Sequence, residues 1–154
     1  MRILVATDGS KSGAAASEAV RNFAIGPHDE IRVISIIDLQ VPLSIDIYGG
    51  YLPDTTELEK VAKENAARVL DETSERIRSY FPDVDVQISA EVLFGTPESR
   101  IVETAEEMHS DLIIVGSHGY NRWERLLLGS VSDSVVHHAH CSVLVVRAER
   151  DQSN

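Results

Sequence analysis

The sequence predicts a single α/β domain built as a doubly wound, five-stranded parallel sheet flanked by helices. Strand-sized apolar runs alternate with helical patterns along the 154 residues, in the order βαβαβαβαβ. This alternation is typical of parallel sheets. Two of the runs, Ile31 to Ile37 and Leu112 to Val115, are nearly uninterrupted, as in strands covered on both faces. A hydrophobic content of 43% is enough to bury a core.

The first strand and helix are predicted from two different periodicities. Ile3 to Thr7 is an apolar run, so we expect a buried strand there. A helix should follow from about Ser12 and stop at Gly26-Pro27. Its buried face repeats at helical spacing and contains Ala16, Ala19, Val20 and Phe23.

A long loop and a long helix follow the second strand. Asp38 to Thr56 carries several prolines and glycines, and loops of this length are often functional. The pattern from about Glu57 to Tyr80 predicts a helix. Its predicted buried stripe consists of Leu58, Val61, Ala62, Ala66, Val69, Thr73 and Ile77.

The remaining elements complete the alternation. Val84 to Val92 alternates apolar and polar residues, which favours an edge strand with one wet face. Thr96-Pro97-Glu98 is a helix start, with threonine as N-cap and proline in the first turn. A short helix from about Ser130 to Ala139 should lead to a last strand, Val143 to Val146.

Composition limits the protein classes. The formal net charge of −11 repels phosphate backbones, so nucleic acid is not an expected partner. The apolar runs are too short to cross a membrane, and Met1-Arg2 leads straight into a strand without a signal peptide. The single cysteine, Cys141, fits a reducing compartment, and we expect a cytoplasmic protein. Residues 1–148 should form the domain, followed by a polar tail, 149–154.

The acidic surface has two interpretations. Only three of the 14 basic residues are lysines, namely Lys11, Lys60 and Lys63. An acidic, lysine-poor surface fits a high-salt cytoplasm, where cations screen self-repulsion. It equally fits an ordinary acidic protein.

Two strand ends carry the residues of chemical interest. Ligands of such sheets bind beyond the carboxyl ends of the strands, where the strand order reverses. Asp8-Gly9-Ser10 follows the first strand, and Gly116-Ser117-His118-Gly119 follows the fourth, with Gly129-Ser130 nine residues later. Glycines allow close backbone approach, and a helix start favours anions. The pattern predicts a phosphate cradle or, alternatively, a loop with turn glycines and a capping serine.

These residues resemble a known family. The spacing Gly116-x2-Gly119-x9-Gly129-Ser130 is similar to the nucleotide-binding signature of the universal stress protein family, ATP-binding branch. The opening segment from Ile3 to Ser10 and the closing segment from Cys141 to Val146 also look like that family. The resemblance covers essentially the whole chain and implies an adenine-nucleotide alpha-hydrolase-like fold.

The resemblance also implies which residues bind the nucleotide. Asp8 matches the acid that holds the ribose hydroxyls, although a helix-proximal capping acid is the alternative. Ala6, Thr7 and Ile36 match the adenine side of the site. His118 lies inside the glycine loop, in a position to touch phosphate. The matches to the phosphate and ribose cradle are Gly116, Ser117, Gly119, Gly129, Ser130, Val131 and Ser132.

The expected ligand is ATP, and the expected role is a stress-associated, nucleotide-dependent switch or partner-binding module. Charge neutralisation falls to Arg122, Arg125 or a bound Mg²⁺ or Mn²⁺ ion. The family pairs its last strands across a two-fold axis, so the resemblance implies a homodimer through Val143 to Val146. Its protein partners cannot be read from the sequence. No catalytic residue is assigned, since the sequence shows no clear general base for attack on a phosphate.

Other classes of protein share parts of this pattern. A slow ATPase or phosphotransfer enzyme remains an alternative, as does a flavodoxin-like FMN protein, because Asp8 to Gly13 is rich in hydroxyls. The chain has no Gly-x4-Gly-Lys-Ser/Thr motif, which argues against a P-loop ATPase. No Gly-x-Ser-x-Gly elbow supports a hydrolase triad. His137, His138 and His140 with Cys141 raise a metal site, but their place at a helix end has an electrostatic explanation.

Overall fold

The computed structural model describes residues 1–38, 55–117 and 128–148. These residues form one α/β domain with five parallel strands, which confirms the predicted fold class. The predicted loop 38–56 lies outside them except for Asp38, Thr55 and Thr56, and the predicted tail 149–154 lies outside them entirely. The elements in chain order are β1 (Arg2–Ala6), α1 (Lys11–Ala19), a 3₁₀ turn (Val20–Asn22), β2 (Glu30–Ile37), α2 (Thr55–Ser79), β3 (Gln87–Phe94), α3 (Pro97–Glu107), β4 (Leu112–Gly116), α4 (Ser130–His138) and β5 (Ser142–Val146).

The strand order is β3-β2-β1-β4-β5, with every neighbouring pair parallel. The chain adds strands on one side of β1 and then returns to add strands on the other side. The order therefore reverses between β1 and β4. Because all strands are parallel, α1 and α3 both start at the carboxyl ends of the strands. β3 and β5 are the two edge strands, as the alternating pattern had indicated for β3.

Each face of the sheet has its own core. Ile3, Val5 and Ile31 point to the face where α1 and α2 pack, and they meet Ala16, Val20, Leu70 and Ile77 there. Leu4, Ile34 and Ile113 point to the opposite face, and they meet Ile101, Ala105, Met108 and Val135 of α3 and α4. Successive residues of one strand belong to different cores because side chains alternate across a sheet. The central strands are apolar throughout for this reason.

One prediction for α2 is wrong. Leu58 and Val61 were expected in the buried stripe, but 64% of Leu58 and 46% of Val61 are exposed. Ala66, Thr73 and Ile77 are buried as expected, and Leu70 joins them. The first turns of α2 lie beyond the part of the helix that packs on the sheet, so their apolar residues have no described partner. β3 also begins later than expected, at Gln87, because Val84 closes a turn by donating its N–H to Phe81 O at 3.2 Å.

None of the helices in the described ranges is both long enough and apolar enough to cross a membrane.

Leu70 and Leu58 offer a matched pair on α2. We predict that Leu70→Ala lowers the free energy of unfolding by about 2–5 kcal/mol, since Leu70 is 3% exposed and its loss leaves a cavity. Leu58→Ala should change it by less than about 0.5 kcal/mol, as expected for an exposed position. Urea denaturation of both variants measures this. A loss at Leu58 comparable to that at Leu70 would show that the start of α2 is buried in solution.

Candidate functional site

The candidate site lies beyond the carboxyl ends of β1 and β4, where the strand order reverses. Ala6 of β1 pairs with Val115 of β4 on one side and with Ile34 of β2 on the other. The helix that follows β1, α1, packs on one face of the sheet, and the helix that follows β4 in the chain, α4, packs on the opposite face. Open parallel sheets bind ligands at such a reversal.

The turn from β1 into α1 holds Asp8 in place. Thr7 Oγ1 accepts the Gly9 N–H at 3.2 Å, and Asp8 Oδ1 accepts the Ser10 N–H at 2.9 Å. Ser10 then caps α1, since its Oγ accepts the Gly13 N–H at 3.1 Å. The Asp8 carboxylate thus shapes the turn while its side chain stays exposed. This bond fits the capping alternative for Asp8, and the exposure leaves the carboxylate accessible to a ligand.

Two glycines allow the start of α1 to lie against the strand ends. A Cβ on Gly13 would stand 2.6 Å from Thr7 Oγ1 and 2.8 Å from Asp8 Oδ1. A Cβ on Gly116 would stand 2.7 Å from the backbone carbonyl carbon of Ser12. All three distances are shorter than real Cβ contacts. At Gly116 the obstacle is backbone, so a larger residue would require the helix to move, whereas at Gly13 the side chains of Thr7 and Asp8 would have to shift. Gly116 was predicted for its approach to a ligand, and the structure shows that it also makes room for α1.

The segments on either side of residues 118–127 meet at the Ser117 carbonyl. Ser117 O accepts the Gly129 N–H at 2.7 Å and the Ser132 hydroxyl at 3.1 Å. Ser117 N–H in turn donates to Val146 O at 2.8 Å, at the end of β5. The start of α4 is therefore fixed to the ends of two strands.

The first turn of α4 presents backbone amides. Gly129 is the N-cap residue, and Asp133 N–H donates to Gly129 O at 2.9 Å to close the turn. The amides of residues 130–132 lie ahead of that bond and cannot reach a helical acceptor. Such amides, together with the helix dipole, favour an anion. The Asp133 carboxylate lies in the same turn, 3.8 Å from His137 Nδ1.

A cavity of about 150 Å³ joins these elements, and most of its wall is apolar. Six of the predicted residues line it, and they are Ala6, Thr7, Asp8, Ile36, Gly116 and Val131. Three further residues line it that the sequence reasoning did not assign to the site, and they are Gly13, Pro97 and Val115. Pro97 starts α3 directly after β3, so its position at a strand's carboxyl end was the available signal.

The other predicted residues are not among those that line the cavity, or they lie outside the described ranges. Ser117 and Ser132 are buried, 3% and 2% exposed. Gly129 is half-buried, and Ser130 is exposed at the start of α4. His118 and Gly119 fall within the undescribed residues 118–127, as do Arg122 and Arg125. Their assignment to the site stays a prediction.

The histidines near Cys141, which raised a metal site in the sequence, make contacts within α4. His137 Nδ1 and His138 Nδ1 each lie 2.8 Å from a carbonyl oxygen one turn back in α4. Burial, and secondarily the charge of Asp111, raises the pKa of the Cys141 thiol, which disfavours the thiolate that a metal needs. In residues 1–38, 55–117 and 128–148, no three His, Cys, Asp or Glu side chains are grouped closely enough to hold one ion.

Fold and site together define an open-sheet α/β protein with a ligand cavity at the reversal of its strand order. The family model described as universal stress protein family matches residues 1–147. A universal stress protein of Methanocaldococcus jannaschii is 30% identical over 151 residues, 98% of this chain and 84% of that one. This chain belongs to the universal stress protein family.

Solved structures show the same fold. A universal stress protein family protein from Arabidopsis thaliana with AMP bound has a TM-score of 0.69 and 18% identity, covering 100% of this chain and 95% of the other. A universal stress protein in complex with cAMP has a TM-score of 0.64 and 23% identity, covering 97% of this chain and 98% of the other. The family and the fold predicted from the glycine pattern and the strand alternation are confirmed.

The contact between α1 and β4 can be tested by adding one methyl group. Gly116→Ala should lower the free energy of unfolding by about 1–3 kcal/mol, because the methyl group meets rigid backbone at Ser12. Gly26→Ala is the matched control, since a Cβ there meets only Asp29 Oδ2 at 3.8 Å. Chemical denaturation compares the two. Equal stability of the two variants would contradict the close packing.

Proposed function

We propose that the cavity binds an adenine nucleotide, ATP in the first place, and that the protein acts as a nucleotide-dependent switch or partner-binding module. One observation carries the proposal. An apolar cavity, an exposed carboxylate and the start of a helix meet at the reversal of strand order. Those are the three surfaces that a base, a ribose and a phosphate group require.

The base fits the apolar walls. Ala6, Ile36 and Val131 approach the cavity from β1, β2 and α4, and Pro97 closes it from α3. A flat, weakly polar ring gains by leaving water for such a surface. The AMP and cAMP held by two proteins of the same fold support adenine as the base.

Asp8 is suited to bind the ribose. Its carboxylate borders the cavity, and charged acceptors form strong hydrogen bonds with hydroxyl donors. Because the bond from Ser10 N–H already fixes Oδ1, the carboxylate needs little reorganisation when a ligand arrives.

The start of α4 is suited to bind the phosphates. Its first amides and the exposed Ser130 hydroxyl supply donors. Among the described residues that line the cavity, none is lysine or arginine. We therefore propose that Mg²⁺ or Mn²⁺ accompanies the nucleotide and balances its charge.

A switch agrees better with this site than an enzyme does. Donors that bind ground state and transition state equally tighten affinity without accelerating chemistry, and we propose that the amides and hydroxyls of this site act in this way. Fast hydrolysis needs an oriented water molecule. It also needs a charged group that contacts the phosphate more strongly in the transition state than in the ground state. We propose that ATP is held, hydrolysed slowly at most, and read by a protein partner.

The role of Asp8 is tested by removing its charge while keeping its shape. In Asp8→Asn the amide oxygen can still accept from Ser10 N–H, so the fold should persist. We expect ATP affinity to fall by about tenfold or more, whereas the affinity for free adenine, which lacks the ribose, stays unchanged. Calorimetric titration with ATP, adenine and FMN measures this, and Asp85→Asn on the exposed surface is the control. Unchanged ATP affinity, or tighter binding of FMN than of ATP by the wild type, would reject the proposal.

A homodimer through β5 is the second part of the proposal. Val143–Val146 lies at the sheet edge, and in the single chain its four side chains are only half-buried. An apolar edge of this kind tends to pair with another strand. Light scattering at micromolar concentration should show a dimer, and Ser142→Glu on β5 should weaken it through like-charge repulsion across the new pairing. Ala90→Glu on the opposite edge, β3, should leave the dimer intact, and a monomeric wild type would contradict this assembly.

A further inference from the structure

The Ser117 carbonyl joins the two segments that flank residues 118–127. It accepts the Gly129 N–H at 2.7 Å and the Ser132 hydroxyl at 3.1 Å, while the Ser117 N–H donates to Val146 O at 2.8 Å. The segment that leaves β4 and the segment that enters α4 therefore meet at one carbonyl group. That carbonyl is in turn attached to the end of β5.

The Ser132 hydroxyl donates its proton to the protein's own backbone. Its Oγ also lies 3.0 Å from Gly129 O, so its single proton is shared between two carbonyl oxygens. The residue is 2% exposed, whereas Ser130, two positions earlier, is exposed. A ligand that took the Ser132 hydroxyl as a donor would have to break the bonds that hold the start of α4.

We propose that the Ser132 hydroxyl positions the start of α4 and does not itself contact the ligand. The hydroxyl clamps the start of α4 to the end of β4 before any ligand binds. The amides of residues 130–132 then point in a fixed direction, and phosphate binding costs less ordering of the backbone. The clamp follows from the hydrogen bonds alone, and its effect on phosphate rests on the proposed function.

The experiment compares three serine-to-alanine variants of α4. Ser132→Ala removes the clamp, and Ser130→Ala removes an exposed hydroxyl at the same helix end. Ser134→Ala is the matched control, since Ser134 Oγ lies 3.3 Å from His138 Nδ1 and away from the cavity. Hydrogen exchange of the Gly129 amide is measured by NMR on nucleotide-free protein, and ATP and adenosine affinities are measured by calorimetry.

In nucleotide-free Ser132→Ala we expect the Gly129 amide to exchange about tenfold faster, which corresponds to the loss of one neutral hydrogen bond. ATP affinity should fall about tenfold, and adenosine affinity should stay unchanged because adenosine carries no phosphate. Ser134→Ala should match the wild type in every measurement. Ser130→Ala should leave exchange unchanged. Ser132→Thr keeps the hydroxyl and should retain slow exchange, which separates the hydroxyl's role from any effect of altered packing.

Two results would overturn the clamp. One is unchanged exchange at Gly129 in Ser132→Ala, which would mean that the hydroxyl does not hold the helix start. The other is faster exchange with full ATP affinity, which would mean that its hold does not matter for phosphate. If the wild type binds neither ATP nor adenosine, the proposed function fails and the phosphate effect fails with it. The exchange data then still decide whether Ser132 holds the start of α4.

Discussion

The structure around the site depends on one close contact: the first turn of α1 lies against the ends of β1 and β4 with no room for a Cβ at Gly13 or Gly116. This contact sets the floor of the cavity, because both glycines and Asp8 line it. It also sets the direction of Asp8, since the turn that carries the carboxylate is fixed between the strand and the helix cap. A larger residue at Gly116 would meet the backbone of α1 and push the helix away, whereas one at Gly13 would displace the side chains of Thr7 and Asp8.

The start of α4 and the net charge of the chain act in opposite directions on an anion. A net charge of −11 repels a polyanion at long range, yet the start of α4 borders the cavity through Val131. Amide donors act over a few ångströms, whereas the field of surface carboxylates is screened by salt over about 8 Å at physiological ionic strength. Local donors can therefore overcome global repulsion, and a divalent cation would reduce it further. The same acidic surface discourages nonspecific binding to nucleic acid.

Much of the fold could be predicted because the central strands are runs of mostly branched apolar residues, β3 alternates apolar and polar residues, and the helices repeat at 3.6-residue spacing. Periodicity identifies the apolar face of a helix but not how far the surface beneath it extends. With 25 residues α2 is about 37 Å long, whereas the longest strand, of eight residues, is about 26 Å. Leu58 and Val61 therefore carry the right pattern and still lie beyond the sheet.

The site was predicted less completely, for two physical reasons. The sequence contains no direct record of strand order, and only the order β3-β2-β1-β4-β5 brings Pro97 at the start of α3 to the cavity. A serine after a glycine also has the same signature whether its hydroxyl faces a ligand or the protein. Ser132 was grouped with the phosphate donors, and only the distances to Ser117 O and Gly129 O reveal its inward bonds. Asp8, in contrast, follows a buried strand so directly that the end of β1 alone places it.

In the proposed complex, adenine lies in the cavity between β1, β2, α3 and α4. A second cavity of about 390 Å³ is lined partly by Ala62, Ala66 and Val69 of α2, and it shares Asp8 and Ile36 with the first. Isotope-filtered nuclear Overhauser measurements on the ATP complex distinguish the two. We expect contacts from the adenine protons to the methyl groups of Ala6 and Val131, which line only the first cavity. Contacts to the methyl groups of Ala62, Ala66 and Val69 instead would contradict this placement of the adenine.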